Sequence, residues 1–301
     1  MKQFLLSVFS LFIITSCAST QNVAALPDAT ATIRVLPEAT ATFVPPSPTS
    51  VVPTKIPCDP RTADFCITDG HLILQRPIQP PNNDSVDKSY RYGTTANGTR
   101  DPHHGVEFLN SSGTPVQSAG DGTVLFAGPD QEAIYTPYKD FYGNMVVIQH
   151  ADDLYTLYAH LSEIDVQAGD VVQAGDEIGN VGSSGVATGS HLHFEVRRGN
   201  VENYFATQNP ELWLLPERDE RNLRYGVVAV SILNEANVYQ FADFTIQRYS
   251  RSSDTPEKTY YMTTYVPELT MNEENAALSE LPAGHYRIAL KLNGYLYERW
   301  V

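Results

Sequence analysis

His191-Leu192-His193-Phe194-Glu195-Val196 alternates polar and apolar side chains. A period of two belongs to a strand, with Leu192 and Phe194 on the core side and His191, His193 and Glu195 on the other. Working back from it, Gly179-Asn180-Val181-Gly182-Ser183-Ser184-Gly185 is a glycine-rich turn region. Leu154 to Leu161 is a tyrosine-rich strand, and Gly143-Asn144 leads into Met145-Val146-Val147-Ile148-Gln149-His150. Gly120-Asp121-Gly122 precedes Thr123-Val124-Leu125-Phe126, again turn then strand. Val166-Gln167-Ala168-Gly169-Asp170 is echoed by Val172-Gln173-Ala174-Gly175-Asp176, and Gly-Asp at this spacing marks tight turns between short strands. No long run has 3.6-residue periodicity, so the reading is an all-β domain.

Working forward, the pattern from about 217 is also β. Tyr286, Ile288, Leu290 and Leu292 share one face, and Asn293-Gly294 is a strong type I′ turn signal. The turn pairs Tyr295 with Leu292, Tyr297 with Leu290 and Arg299 with Ile288. Such a hairpin has a mostly apolar face that must pack on another sheet, so a small β-sandwich module is expected over 217–301.

The start of the chain reads differently. Met1-Lys2 is followed by an apolar run from Phe4 to Ile14, too short for the ~20 residues that span a bilayer and suited to a secretory leader. It ends in Ile14-Thr15-Ser16-Cys17, which resembles a bacterial lipobox. A leader over 1–16, with lipidation at Cys17, is therefore expected. Residues 18–57 hold 24 Ala, Ser, Thr or Pro out of 40, too little apolar surface to fold. Seven prolines stiffen the segment; it is read as a lipid-anchored tether over 17–57, with a reach of roughly 120 Å at ~3.1 Å per residue. Lipidating Cys17 leaves Cys58 and Cys66 as an even pair, so a disulfide between them is expected outside the cytoplasm.

The net charge of −15 argues against a nucleic-acid partner. Residues 58–216 carry most of it, with 21 acids against 8 bases. In that acidic region five of the eight histidines form three clusters: His103-His104-Gly105-Val106-Glu107, Tyr158-Ala159-His160-Leu161, and His191-Leu192-His193. Histidine is the commonest metal ligand and the commonest general base near neutral pH. His191 and His193 would have Cα atoms about 6.6 Å apart on one strand face, which leaves open whether both bind an ion or one serves the reaction. His103 and Glu107 would be about 13 Å apart in an ideal strand. To share one ion the chain must bend between them, and Gly105 is where it can.

Taken in order, these blocks resemble the lysostaphin/LytM-type zinc endopeptidases that cut peptidoglycan peptides. The opening His-x-Gly-x-Asp of that family stands here as His103-His104-Gly105-Val106-Glu107. Its Gly-Asn strand matches residues 143–150, its Tyr-x-His-Leu strand matches Tyr158-Ala159-His160-Leu161, and its closing block matches Gly179–Gly185 with Thr188–Glu195. The likeness runs from about 100 to 200. It implies a two-sheet domain with an open groove over 58–216, one zinc held by His103, Glu107 and His193, and reaction roles for His160 and His191. It also implies peptidoglycan as substrate and, with Cys17, a protein held at the outer face of a bacterial membrane. The departure is Glu107 where the family usually has Asp. Glu is a competent zinc ligand elsewhere; the competing reading is a degenerate domain that binds peptidoglycan or activates another wall hydrolase.

The remaining candidates are assigned more modestly. Tyr158, two residues before His160, either faces the same groove and contacts substrate or packs as a core aromatic. His104 is expected beside the ligands without being one, and His150 as a structural hydrogen-bonding residue. Glu195 either orients a histidine or faces solvent, and Tyr90-Arg91-Tyr92-Gly93 is a candidate lid.

Overall fold

A computed structural model of the 301-residue chain describes residues 5–11, 63, 65–67, 72–96, 98–218, 222–223, 225–250, 254–269 and 274–301. The described residues are almost wholly β, with two short 3₁₀ turns at Pro210–Leu212 and Pro267–Leu269 and no α-helix. Residues 1–13 and 58–301 form one compact unit; a second, 14–57, lies outside the described residues, and with it the expected tether and Cys17.

The strands in chain order begin with β1 (Leu5–Leu11) and β2 (Cys66–Ile67), which belong to the C-terminal module. Nine strands follow: β3 (Val106–Phe108), β4 (Pro115–Gln117), β5 (Gly122–Pro129), β6 (Asn144–Gln149), β7 (Leu154–Ile164), β8 (Val171–Val172), β9 (Glu177–Val181), β10 (Leu192–Arg198) and β11 (Thr207–Gln208). The main path runs β11-β10-β7-β6-β5-β8, with β3 beside β11 along the same edge of β10. The long strand β7 is shared. Its first part pairs with β10 and β6, and its last residues, Leu161 to Ile164, pair with β9, which carries β4. The two expected sheets are thus joined through β7.

Alternation fills both faces of the main sheet. Val146, Ile148, Leu192, Phe194 and Val196 enter one core with Val106, Phe108 and Ile178. Met145, Val147, Leu157 and Ala159 enter the other with Tyr135 and Tyr142. Full burial of each large apolar side chain contributes about 1.5–3 kcal/mol, which fixes the register on both sides.

The C-terminal module has β12 (Gly226–Leu233), β13 (Asp243–Tyr249), β14 (Pro256–Thr263), β15 (Ala276–Leu281), β16 (His285–Leu292) and β17 (Tyr295–Trp300). One sheet is ordered β14-β13-β16-β17, the other β15-β12-β1-β2. Val230, Ile232, Phe244, Ile246, Leu278, Ile288 and Leu290 form the shared core of this sandwich. The terminal hairpin pairs Leu292 with Tyr295, Leu290 with Tyr297 and Ile288 with Arg299, as its turn signal predicts. Leu5–Leu11, within the apolar run read as a leader, pairs antiparallel with Leu233–Val227 of β12. An unpaired strand edge is a template for any apolar extended segment, and β12 offers one.

Charged side chains tie the sandwich to the segment before β3 and to the Pro210–Leu212 turn. Glu280 binds Arg76 at 3.2 Å and Lys88 at 2.7 Å. Glu211 accepts from Arg91 at 3.1 Å and from the Ser279 amide and hydroxyl at 2.8 and 2.6 Å. Between these ties, Tyr92 meets Tyr265 edge-on and the Val266 amide donates to the Gly93 carbonyl at 3.0 Å. Residues 86–94 are therefore a strap held from both sides.

Candidate metal centre

Three of the histidine-cluster residues converge because of strand register. Antiparallel pairing sets Glu107 on β3 directly opposite His193 on β10, and His193 opposite Ala159 on β7. Directly opposed side chains start only about 4.5–5.5 Å apart at Cβ. His103 lies outside β3, and the bend expected near Gly105 brings it back. A Cβ on Gly105 would come within 2.4 Å of the Phe194 carbonyl oxygen and 2.9 Å of His193 Cε1, so only glycine lets the chain pass this closely.

The donor atoms meet at one point. His103 Nε2 lies 2.8 Å from Glu107 Oε1, His193 Nδ1 lies 3.1 Å from the same oxygen, and the two nitrogens are 3.3 Å apart. A tetrahedral zinc site with N/O bonds of about 2.0–2.2 Å needs ligand edges of roughly 3.3–3.5 Å, so the triad is close to one face of such a site. His103 Nδ1 is buried without a hydrogen-bond partner, and Glu107 Oε2 is buried with only His191 Nε2, 3.2 Å away, beside it. A carboxylate oxygen left in that state is stabilised by a cation. The donor set, two imidazole nitrogens and one carboxylate, fits zinc.

Protonation tells the same story. Burial alone would lower the His193 pKa, but the Glu107 and Glu195 carboxylates outweigh it and push it up to about 10. Burial would raise the Glu107 carboxyl; His193 and His103 instead hold it well below the usual range. A proton on His193 supplies the positive charge that this buried carboxylate requires.

The other two histidines have fixed tautomers. His160 Nδ1 lies 2.8 Å from the Ser184 carbonyl oxygen, and His191 Nδ1 lies 2.8 Å from the Gly189 carbonyl oxygen. A carbonyl only accepts, so each Nδ1 carries the hydrogen and donates it. Nε2 of each ring is the remaining nitrogen. His191 Nε2 is 3.2 Å from Glu107 Oε2, and the His160 ring centroid is 4.9 Å from that of His191 and 5.8 Å from that of His193. Burial, with His193 and His191 nearby, pulls the His160 pKa down to about 4, so its ring is neutral at pH 7. Ser184, which holds His160, sits between Gly143 and Gly185; a Cβ on either glycine would reach the other's amide nitrogen at 2.4 Å.

Several supporting residues escaped the sequence reading or were left undecided by it. Glu195 is buried and orients His193: its Oε1 is 3.1 Å from His193 Nε2. Its other oxygen binds Arg197 at 2.7 Å, and Tyr142 donates its hydroxyl to Oε1 at 2.6 Å. Burial would raise the Glu195 carboxyl, but Arg197 and His193 bring it down to about 2. Arg197 is fully buried, donates to the Val201 carbonyl at 2.7 Å, and had no signal beyond a charge at a strand end. Tyr90 of the strap stacks on His103 with ring centroids 4.0 Å apart and planes within 12°. The Tyr90 hydroxyl donates to the Asp101 carbonyl at 2.7 Å, and the Arg100 guanidinium lies 4.9 Å from the ring centre. Of the candidate lid residues, Tyr90 covers the candidate ligand His103, while Tyr92 is buried against the sandwich. His104 stacks on Tyr204 at 3.7 Å, beside the ligands without joining them. His150 hydrogen-bonds the Asp121 carbonyl and the Thr156 hydroxyl, each at 2.8 Å, as a structural residue.

Of the two readings of Tyr158, packing is the one found, and substrate contact in the groove is not. Tyr158 is fully buried in the core, where its hydroxyl accepts from the Ala119 amide at 2.7 Å and from the Thr156 hydroxyl at 2.9 Å. It faces no groove. The alternation that would have set it beside His160 breaks because His160 has φ +62° and the β6–β7 register shifts between Asn144 and Val146. Of the expected disulfide, Cys66 is buried and disulfide-bonded, while Cys58, like Cys17, lies outside the described residues.

Comparison with known proteins bears on the same residues. Residues 101–205 match Peptidase family M23. The chain is 43% identical over 95 residues to the DD-carboxypeptidase/endopeptidase Mpg of Neisseria meningitidis serogroup B, covering 32% of this chain and 20% of that protein. It is 38% identical over 119 residues to the peptidoglycan DD-endopeptidase ShyA of Vibrio cholerae, covering 39% and 26%. Among solved structures, a mutant catalytic domain of the prophage-encoded M23 protein EnpA from Enterococcus faecalis is 30% identical. That likeness covers 44% of this chain and 92% of the other, with a TM-score of 0.37. The chain spans only about a quarter or less of the length of these curated relatives. Residues 101–205, which hold every residue of the converging triad and both tautomer-fixed histidines, form a peptidase family M23 domain.

Proposed function

We propose that this chain is a zinc-dependent endopeptidase that hydrolyses peptide cross-links of peptidoglycan. The observation that carries the reading is the meeting of His103 Nε2, Glu107 Oε1 and His193 Nδ1 within 3.3 Å of one another, beside two histidines whose Nδ1 atoms are committed elsewhere. The relatives' names, a DD-endopeptidase and a DD-carboxypeptidase/endopeptidase, support the substrate class.

His103, Glu107 and His193 would hold the zinc, which supplies a Lewis acid for the scissile carbonyl and lowers the pKa of water toward ~7. Glu195 keeps His193 in the tautomer that turns Nδ1 inward. His160, neutral at pH 7, accepts the proton of the attacking water on Nε2. His191, when it carries a proton on Nε2 as well, donates to the carbonyl oxygen as negative charge builds there. Glu107 supports catalysis rather than degeneracy: its longer side chain delivers one oxygen to both ligand histidines.

We also propose that the protein works at the outer face of a bacterial membrane, anchored through a lipidated Cys17 and a tether over 17–57. The leader-like run and the lipobox-like Ile14-Thr15-Ser16-Cys17 support this. Cleavage before Cys17 would remove β1 from β12.

The test is a digest of purified peptidoglycan by the zinc-loaded chain, with products identified by mass spectrometry. Fragments with newly freed amines and unchanged sugar reducing ends are expected. New reducing ends without new amines would refute the assignment.

A further inference from the structure

The strap over 86–94 has two sides. On one, Tyr90 stacks on the candidate ligand His103. On the other, Ser89, Thr94 and Thr95 line a cleft of about 510 Å³ whose far wall is the sandwich, with Phe241, Asp243 and Tyr261. Phe241 is 61% exposed and Tyr261 83% exposed, so both rings are accessible from the cleft.

The chemistry of the walls selects a ligand class. The two cations at the cleft are already paired, Lys88 with Glu280 at 2.7 Å and Arg91 with Glu211 at 3.1 Å. With the exposed Asp243 carboxylate beside them, the cleft offers no free positive charge to a polyanion. Three of the wall hydroxyls are also committed as donors, while Thr95 Oγ1 accepts from the Gly98 amide at 3.0 Å and keeps its hydrogen. Ser89 donates to Asp87 at 2.8 Å, Thr94 to the Arg91 carbonyl at 2.7 Å, and Thr263 to Asp243 at 2.7 Å. What remains is a polar lining without an unpaired cation, able to donate as well as accept, facing two exposed aromatic rings. A neutral sugar chain presents the complement: hydroxyls that both donate and accept around its edge and C–H faces that stack on rings. The volume falls within the range of small-ligand sites.

We infer that this cleft binds the glycan strand of peptidoglycan, as a run of N-acetylated hexosamines, while the attached peptide reaches the metal centre on the other side of the strap. The inference rests on the proposed function for the identity of the polymer. It assigns the sandwich a part in substrate binding and explains why the strap is tied to both regions.

The probe is a β-1,4-linked tetramer of N-acetylglucosamine, titrated calorimetrically into metal-stripped full chain, so that the readout does not depend on peptidase activity. Binding is expected, and the double variant Phe241→Ala/Tyr261→Ala should weaken it tenfold or more without lowering Tm, since both rings are exposed. Trp300→Ala, an exposed aromatic outside the cleft, should leave it unchanged. Saturation-transfer NMR on the unaltered protein reads the same contact without mutation: sugar ring protons should receive saturation from the aromatic protons. No binding by the unaltered protein, or equal binding by the double variant, would overturn the proposal. So would loss, in that variant, of binding to a glycan-free wall peptide in place of the sugar. Sugar binding by a protein that cuts no peptide would instead overturn the proposed function and leave the cleft assignment standing.

Discussion

Glu195 Oε1 sits 3.1 Å from His193 Nε2, and this contact turns the ring's other nitrogen, Nδ1, toward Glu107 at 3.1 Å. Arg197 and Tyr142 hold Glu195 in turn, at 2.7 and 2.6 Å. A buried chain of four residues thus aims one ligand atom. Glu195→Gln keeps the shape and removes the charge. Partners of this kind are typically worth about 10–100-fold in metal affinity. That loss is expected in a competition titration against a chromophoric chelator, together with a lower Tm because Arg197 is left buried without its carboxylate.

Tyr90 shields His103, which is only 4% exposed, by stacking at 4.0 Å. An aromatic stack contributes about 0.5–1.5 kcal/mol beyond area burial. Tyr90→Ala should therefore speed zinc release roughly three- to ten-fold, while Tyr90→Phe keeps the ring and should stay near the starting rate. Stopped-flow transfer of zinc to a chelator measures both. Equal rates for all three proteins would remove Tyr90 from the site.

The pH dependence of the metal-stripped protein follows from its shifted histidines, with His104, lowered to about 4 chiefly by burial, acting in the same sense as His160. His193 has its folded pKa raised from 6.5 to about 10, so its contribution is complete below about 6.5 and is lost as pH rises toward 10. His160 has its folded pKa lowered from 6.5 to about 4, so the unfolded chain takes up that proton first and stability falls from about 6.5 downward. Thermal stability should peak near pH 6.5 without metal. Zinc displaces the His193 proton, so the loaded protein should lose the decline on the alkaline side. Melting curves over pH 4–10, with and without zinc, check this.

Tyr158→Phe tests the placement of that residue. It strands the buried Ala119 amide, whose partner is the Tyr158 hydroxyl at 2.7 Å, at a cost of about 1–3 kcal/mol. Denaturant midpoints should fall accordingly while KM stays put. A raised KM at unchanged stability would return Tyr158 to the groove.

The legible parts of this molecule are those governed by a single local rule. Alternation in His191–Val196 and in Tyr286–Leu292 gave the faces correctly, because both runs are regular strands with one side in a core. Asn293-Gly294 placed the last turn, where both residues have positive φ. The bend at Gly105 was legible as a distance problem, since His103 and Glu107 are too far apart in an ideal strand. What was illegible depends on contacts distant in sequence. The break at His160 is set by β7 leaving one sheet for another, and no residue before it announces that. Arg197 reads as a solvent charge until Glu195 and Tyr142 are seen around it. The Phe241–Tyr261 wall of the cleft appears only when the strap and the sandwich are side by side.

The most direct measurement pairs zinc content with turnover of purified peptidoglycan in three proteins: unaltered, His193→Ala and His160→Ala. The unaltered chain should hold about one zinc and release peptide-cleaved fragments. His193→Ala should lose both, and His160→Ala should keep the zinc but lose most of the turnover. An unaltered chain that binds no zinc, or a His160→Ala variant that turns over at the full rate, would contradict the account.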